Sequence, residues 1–367
     1  MTSSRRYRWV AAIAIAPLVV VFVGQPAFAC TSSWSTTTFG AAAFHPQAVD
    51  VVTADDAFVV GAITTPNGFV AAIRHWNGSS WSPFPSPSFP GTGTAVQLVS
   101  AAADDDIWVS ANGSANGVIA VWLAHWDGGA WTVMPDDISR RFSVTSLVAV
   151  SPSRAYAVSH SVIARWNGTS WHRLSVPVHA DLNAVVASAP HDVWVLGDRF
   201  MCSPCIDRTV TWHWDGSTWL HVPSPNGTSG NVISAAVEIA PSDVWAVGSA
   251  KRSSGAEGSM AMHWNGATWT MRLPDPSAGD AFLSVDATGP NDVWAAGSTW
   301  PSNGPGPYGR IERWTPGAGW TITPDPSPIG STYTSIGVSL GHAWAVGYTS
   351  TGNGTTLDPL AVSLCPA

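Results

Sequence analysis

The chain has 367 residues, a formal net charge of −8, only 11% charged residues, 22 tryptophans and four cysteines. A sparsely charged, net-acidic chain with the single lysine Lys251 argues against a nucleic acid or an anionic membrane as partner. This length can bury a substantial core, either as two domains or as one closed repeat array.

Arg5, Arg6 and Arg8 lead into an apolar stretch from Trp9 to Val23 and then into Gln25-Pro26-Ala27-Phe28-Ala29. That is the three-part layout of a secretory signal peptide, so residues 1–29 are expected to be removed and the mature chain, 30–367, to be secreted. "SRRYRWV" also raises twin-arginine export, although Arg8 stands where such signals carry an apolar residue. The apolar run is short for a bilayer and no second one follows, so no integral membrane segment is expected in the mature form. Cys30 directly after the cleavage point allows a lipid anchor, but "AFA" lacks the leucine that leads a lipobox. Four cysteines in an exported chain favour disulfides over metal sites.

"DVWAVGS" followed by "AMHWNGATWTMRLP" in residues 243–274 recurs along the chain. Its first aromatic falls at Phe58, Trp108, Tyr156, Trp194, Trp245, Trp294 and Trp344, a seven-fold repeat in the range of periods of propellers. Each unit reads as four short strands bounded by Pro, Gly, Ser and Asn. Asn-Gly or Asp-Gly at residues 77, 127, 167, 215 and 265 predicts a type I′ hairpin, both central residues at positive φ, between the third and fourth strands. The expected fold is all-β, a seven-bladed propeller of four-stranded antiparallel blades forming a single domain over 30–367. Eighteen of the 22 tryptophans fall at three repeat positions and are expected to pack between blades.

The last unit ends after its third strand, "PLAVSLCPA", while "TSSWSTTTF" at 31–39 copies the fourth strand "SSWSPFPSP" of the next unit. The N-terminal strand should therefore complete the seventh blade and close the ring. In this alignment Cys30 takes the place of Asn77 and Cys365 that of Asn265, so both fall at the missing turn between strands three and four. A Cys30–Cys365 disulfide would replace that turn and stabilise by about 4 to 5 kcal/mol in the chain-entropy model. Cys202-Ser203-Pro204-Cys205 reads as a second, local disulfide tightening a long loop, since a zinc site would need two further ligands and none is spaced nearby.

These units resemble the repeats of bacterial extracellular kelch and galactose-oxidase-like propellers, which run through a hairpin to a Trp and a Leu-Pro. The chain departs from them in having one glycine where kelch has two. "WDGSTW" at 214–219 is similar, one residue tighter, to the Asp-box of sialidase-like propellers. Those signatures are structural and imply no chemistry by themselves. A sialidase-like site would want clustered arginines, and a galactose-oxidase-like site a pair of histidines beside its tyrosines; neither is apparent.

Turns between strands one and two and between three and four share a face and are uniformly tight. The remaining loops are expected to be long and to differ in every blade, which makes their face the candidate for ligand binding. Candidates there are Arg199, Asp207, Arg208, Lys251, Arg252, Glu257, Trp300, Tyr308, Arg310, Tyr333 and Tyr348. Blade three has almost no loop between strands two and three, which should leave a notch near His160. His75, His125, His213 and His263, with Arg165 and Arg313 in the same slot, should point between blades. Asp56, Asp106, Asp192, Asp243 and Asp292 should bond local backbone in their turns. The expected function is a monomeric, non-catalytic exported propeller binding a protein or a glycan, with no cofactor; the alternative is a carbohydrate-active hydrolase or lyase using the same face.

Overall fold

Period-two alternation broken by turn residues yields strands throughout. The computed structural model describes residues 33–364 apart from 40–42, 135–142, 175–179, 203–204, 227–229, 252–256, 275–279, 301–303, 305 and 352–355. Its strands form seven four-stranded antiparallel sheets. Blades one to six span 44–84, 92–134, 146–174, 181–222, 231–271 and 280–322, and blade seven is 331–364 completed by Ser35–Thr36. Among the described residues no helix is long and apolar enough to cross a membrane.

The ring closes as the repeat alignment implies. Ser35 pairs with Ser363 and Thr36 with Val362, and the Thr37 N–H donates to the Ala361 carbonyl at 3.0 Å. Trp34 is buried edge-on against Trp294 of blade six, ring centroids 5.9 Å apart. Its indole N–H donates to the Thr323 hydroxyl at 3.2 Å. Cys30 and Cys365 lie outside the described residues.

The glycine that recurs in strand two has a steric cause. In blades one, four, five, six and seven the first strand bulges opposite it. A Cβ on Gly61, Gly197, Gly248, Gly297 or Gly347 would meet a first-strand carbonyl oxygen at 1.9 to 2.1 Å. No side chain fits a bulge that presses this closely.

The strand three-to-four turns differ from the type I′ expectation. Only the glycines take positive φ (Gly78 84°, Gly128 87°, Gly168 97°, Gly216 94°, Gly266 87°). Trp76 pairs with Trp81, leaving a four-residue connection. There the Asn77 Oδ1 accepts the N–H groups of Ser79 and Ser80 at 3.1 and 3.0 Å. The Asn or Asp acts through its side chain, as an Asx turn, so it needs no left-handed backbone. Asp127 and Asp215 make the same bonds, and these hold both carboxyls below their ordinary range. The two-residue turn with both φ positive is Asn116-Gly117 (52° and 76°), between strands two and three of blade two.

Adjacent blades are joined by one repeated stack. The strand-two aromatic lies flat on the strand-three histidine of its own blade: Trp108 on His125 at 4.4 Å, Trp194 on His213 at 4.4 Å, Trp245 on His263 at 4.5 Å, Phe58 on His75 at 4.8 Å. In blade six the Arg313 guanidinium takes this place, 4.9 Å over Trp294. Each base is held by the aspartate that opens strand two. His125 bonds Asp106 at 2.7 Å, His263 bonds Asp243 at 2.8 Å and the Arg313 Nε donates to Asp292 at 2.6 Å; His75–Asp56 and His213–Asp192 match. The five aspartates therefore pair with the five bases across the hairpin, a correction to the expectation that they bond their own turns. The base on the adjacent strand is the better partner because the register sets it opposite the aromatic two residues after the aspartate, so the two side chains meet diagonally on one face.

The far side of the strand-two indole meets the next blade. Trp108 stands edge-to-face on Trp171, Trp194 on Trp269 and Trp245 on Trp320, at interplanar angles of 82°, 89° and 85°, the arrangement that ring quadrupoles favour. Trp245→Ala should cost about 3–5 kcal/mol, as for a fully buried large aromatic. Leu220→Ala, at a half-exposed position, should stay within roughly 0.5 kcal/mol. Urea unfolding midpoints at constant m-value decide between them, and equal shifts would contradict the stack as the main joint.

Candidate functional site

The two faces are built differently. All seven connections between strands one and two are two residues long. On the opposite face, part of the expected loop variation is strand: in blades one, two and four the second and third strands run on and close with only two residues between them. Strand two has eleven residues in blade four but six in blade three, a difference of roughly 16 Å at 3.3 Å per residue. That is the notch, with His160 at its floor, φ 45°, and its Nδ1 3.1 Å from the Asp181 carboxylate.

The candidates of this face do not converge. Arg199, Asp207 and Arg208 lie on the extended hairpin of blade four instead of in a loop, with Arg199 opposite Arg208 and Asp207 opposite Phe200. Arg199 is exposed, and Asp207 and Arg208 are half-buried. Lys251 and Glu257 are exposed cross-strand partners in blade five. Arg252 lies outside the described residues. Trp300 is exposed, while Tyr308 and Tyr348 are half-buried. Two candidates are not on the surface. Arg310 is buried in strand three of blade six, 2.7 Å from both Asp280 and Glu312, because a strand residue facing a neighbouring blade has no access to solvent. Tyr333 is fully buried in the first strand of blade seven and donates its hydroxyl to Asp325 at 2.5 Å. Burial and that neighbouring carboxylate push its phenol far above its ordinary range.

Cys202 and Cys205 are cross-strand neighbours at the tip of the blade-four hairpin, and Cys202 is an exposed thiol with no disulfide shown.

What sequence reasoning missed on this face is apolar. Phe69, Val70, Val118, Ile119, Phe200, Met201, Trp300 and Leu357 are all exposed, Ile119 by 80%, and all sit at, or in the case of Trp300 just beyond, the ends of second or third strands nearest this face. On the tight-turn face, in contrast, the connections between strands one and two present Leu340. The available signal was alternation that continues up to Asn116-Gly117 and across "NGFV" at 67–70, marking hairpin tips instead of loops.

A channel of about 650 Å³ runs among the first strands of all seven blades. Its inner edges lack a partner strand, and side chains of adjacent blades supply acceptors for their N–H groups. Asp50 takes Ala101 at 2.6 Å, Ser100 takes Ala149 at 2.9 Å, Asp286 takes Val338 at 2.7 Å and Glu238 takes Ser188 at 3.0 Å. Burial pushes these carboxyls up, Asp50 to about 6, Asp286 to about 7 and Glu238 to about 8. Nearer the long-loop face, burial and the charges of Asp207 and Asp181 raise Asp198 to about 6. Among the described residues no group of three or more His, Cys, Asp or Glu is arranged to hold a metal ion.

No family model matches this sequence, and no curated protein does. Solved structures do match. YCF48 from Cyanidioschyzon merolae superimposes with a TM-score of 0.57 at 16% identity, covering 91% of this chain and 99% of its own. What is shared is the fold. The extracellular domain of the putative one component system BT4673 from B. thetaiotaomicron aligns at 12% identity and TM-score 0.47 over 72% of this chain, which spans about a third of that one (33%).

The channel carboxyls give stability a pH slope. Their folded values lie above the ~4 of an unfolded carboxyl, so the native state binds more protons between about pH 4 and 8 and stability falls as pH rises through that window. The melting temperature should be higher at pH 5.5 than at pH 8. Asp286→Ser, which installs the residue that blade two carries at this position as Ser100, should flatten the slope by raising stability at pH 8. An unchanged slope in this variant would contradict the assignment.

Proposed function

We propose that the chain is an exported, kelch-like propeller without catalysis, which seats a protein partner on its long-loop face. The observation that carries this reading is the crown of exposed apolar side chains at the hairpin tips. Scattered apolar residues are ordinary on a surface, but a set gathered at one end of a rigid scaffold is the usual mark of a recognition surface. Aromatic and aliphatic tips favour a protein over a glycan, whose hydroxyls would want convergent polar groups around an aromatic platform.

A photo-crosslinking phenylalanine analogue at position 119 or 69 should give adducts with a partner protein from the extracellular fraction of the source culture, whereas the same analogue at Leu340 should give none. Adducts at 340 alone, or glycan-array binding without any protein adduct, would contradict the reading. The Ser35–Ser363 pairing also supports the proposed Cys30–Cys365 staple, since it brings the segments preceding Cys365 and following Cys30 side by side. Intact mass of the mature protein after alkylation, with and without reductant, should show two additional alkylated thiols on reduction; a lipid adduct on Cys30 would exclude the staple.

A further inference from the structure

In blades two, four and five the inter-blade stack joins a strand-two tryptophan, a strand-three histidine and two tryptophans of the next blade, and between blades three and four the ring is smaller. Blade three has Tyr156 where five blades have tryptophan. Its slot contains a pocket of about 180 Å³ lined by Tyr156, Arg165, Leu174, Trp214 and Trp219. Four of these are the positions of the stack, and Leu174 is the strand-four residue of blade three beside it. A tyrosine ring is smaller than the indole that five blades carry at this position.

The charge pattern departs at the same place. In blades one, two, four, five and six an aspartate opens strand two and holds the strand-three base. In blade three the residue at that register position is Arg154, which pairs with Ser151 as Asp56 pairs with Thr53. Arg165 therefore lacks the carboxylate that holds the strand-three base in those five blades, and Arg154 stands in its place. The Nε of each is buried without an acceptor among the described residues. The Tyr156 hydroxyl does not meet this need, because it donates to the Pro190 carbonyl at 3.0 Å. A buried guanidinium N–H left without an acceptor is costly, and a negatively charged acceptor is its best partner.

We propose that this slot is a binding site for a small aryl or alkyl monocarboxylate, its carboxylate on Arg165 and its apolar body between Trp214, Trp219 and Leu174. The size fits, since an apolar cavity of about 150 Å³ takes up benzene. A bare phosphate or sulfate fits poorly, because walls of tryptophan and leucine replace little of its hydration. The pocket lies within the inter-blade layer and is independent of the crown at the hairpin tips.

Benzoate titrated into the mature protein should bind one to one by calorimetry and quench the emission of Trp214 and Trp219. Toluene should bind roughly tenfold or more weakly, for want of the charge-assisted bonds. Tyr156→Trp installs the residue of five other blades and should abolish binding of both. Arg154→Asp rebuilds the aspartate–arginine pair of blade six and should remove benzoate binding while keeping toluene. Circular dichroism and the melting temperature verify that both variants fold. No benzoate binding up to about 10 mM, equal affinity for benzoate and toluene, equal competition by phosphate, or benzoate binding retained in folded Tyr156→Trp or Arg154→Asp would each overturn the proposal.

Discussion

An aspartate holding a histidine flat against a buried indole is the contact on which the ring depends. A blade alone is a small sheet with two apolar faces and cannot be stable until both are covered. The Asp–His or Asp–Arg pair fixes the base, the base supports one face of the indole, and the two tryptophans of the next blade cover the remaining edge. Because the pair satisfies two polar groups at a half-buried position, the stack brings large aromatic area into the interface without orphaning the base beside it. Asp106 is nearly fully buried at 2% side-chain exposure, and there the bond to His125 matters most.

Closure toward the axis follows a second rule. The first strands are edges that face a channel instead of another strand, and their N–H groups are taken by side chains of neighbouring blades. Serine, aspartate and glutamate serve this purpose interchangeably: Ser100, Ser284 and Ser335 make such bonds with neutral hydroxyls. The carboxylates perform the same task with a charge that burial disfavours, which leaves a pH-sensitive element in an otherwise uniform seam. Pressed against this seam, the strand-two glycines let the bulged first strands approach within a distance that no Cβ tolerates.

With the joints and seam fixed, the blades differ chiefly in how far their second and third strands extend and in what their tips carry. Blade three is the exception on three counts: short strands, a tyrosine in place of tryptophan and an arginine in place of aspartate. These departures fall in one repeat, at the level where its neighbours are most uniform. The notch belongs to one face and the unfilled slot to the layer between blades, so a single divergent unit marks two separate places on the molecule.

The number of blades, the strands and the closure by the N-terminal segment were legible in the sequence, because period-two alternation and a repeat near 50 residues are properties of the chain itself. Trp34 aligns with Trp81 in the repeat. The two sets of recurring residues, Asp56 to Asp292 and His75 to Arg313, were visible as well, but not their pairing, since cross-strand register sets which side chains meet and the chain order does not state it. Register and strand extension likewise decided that Arg310 and Tyr333 are interior, that Arg199 and Arg208 ride on a hairpin, and that apolar tips crown one face. Repetition is local information, whereas exposure belongs to the assembled ring, where a residue's surroundings come from the blade beside it.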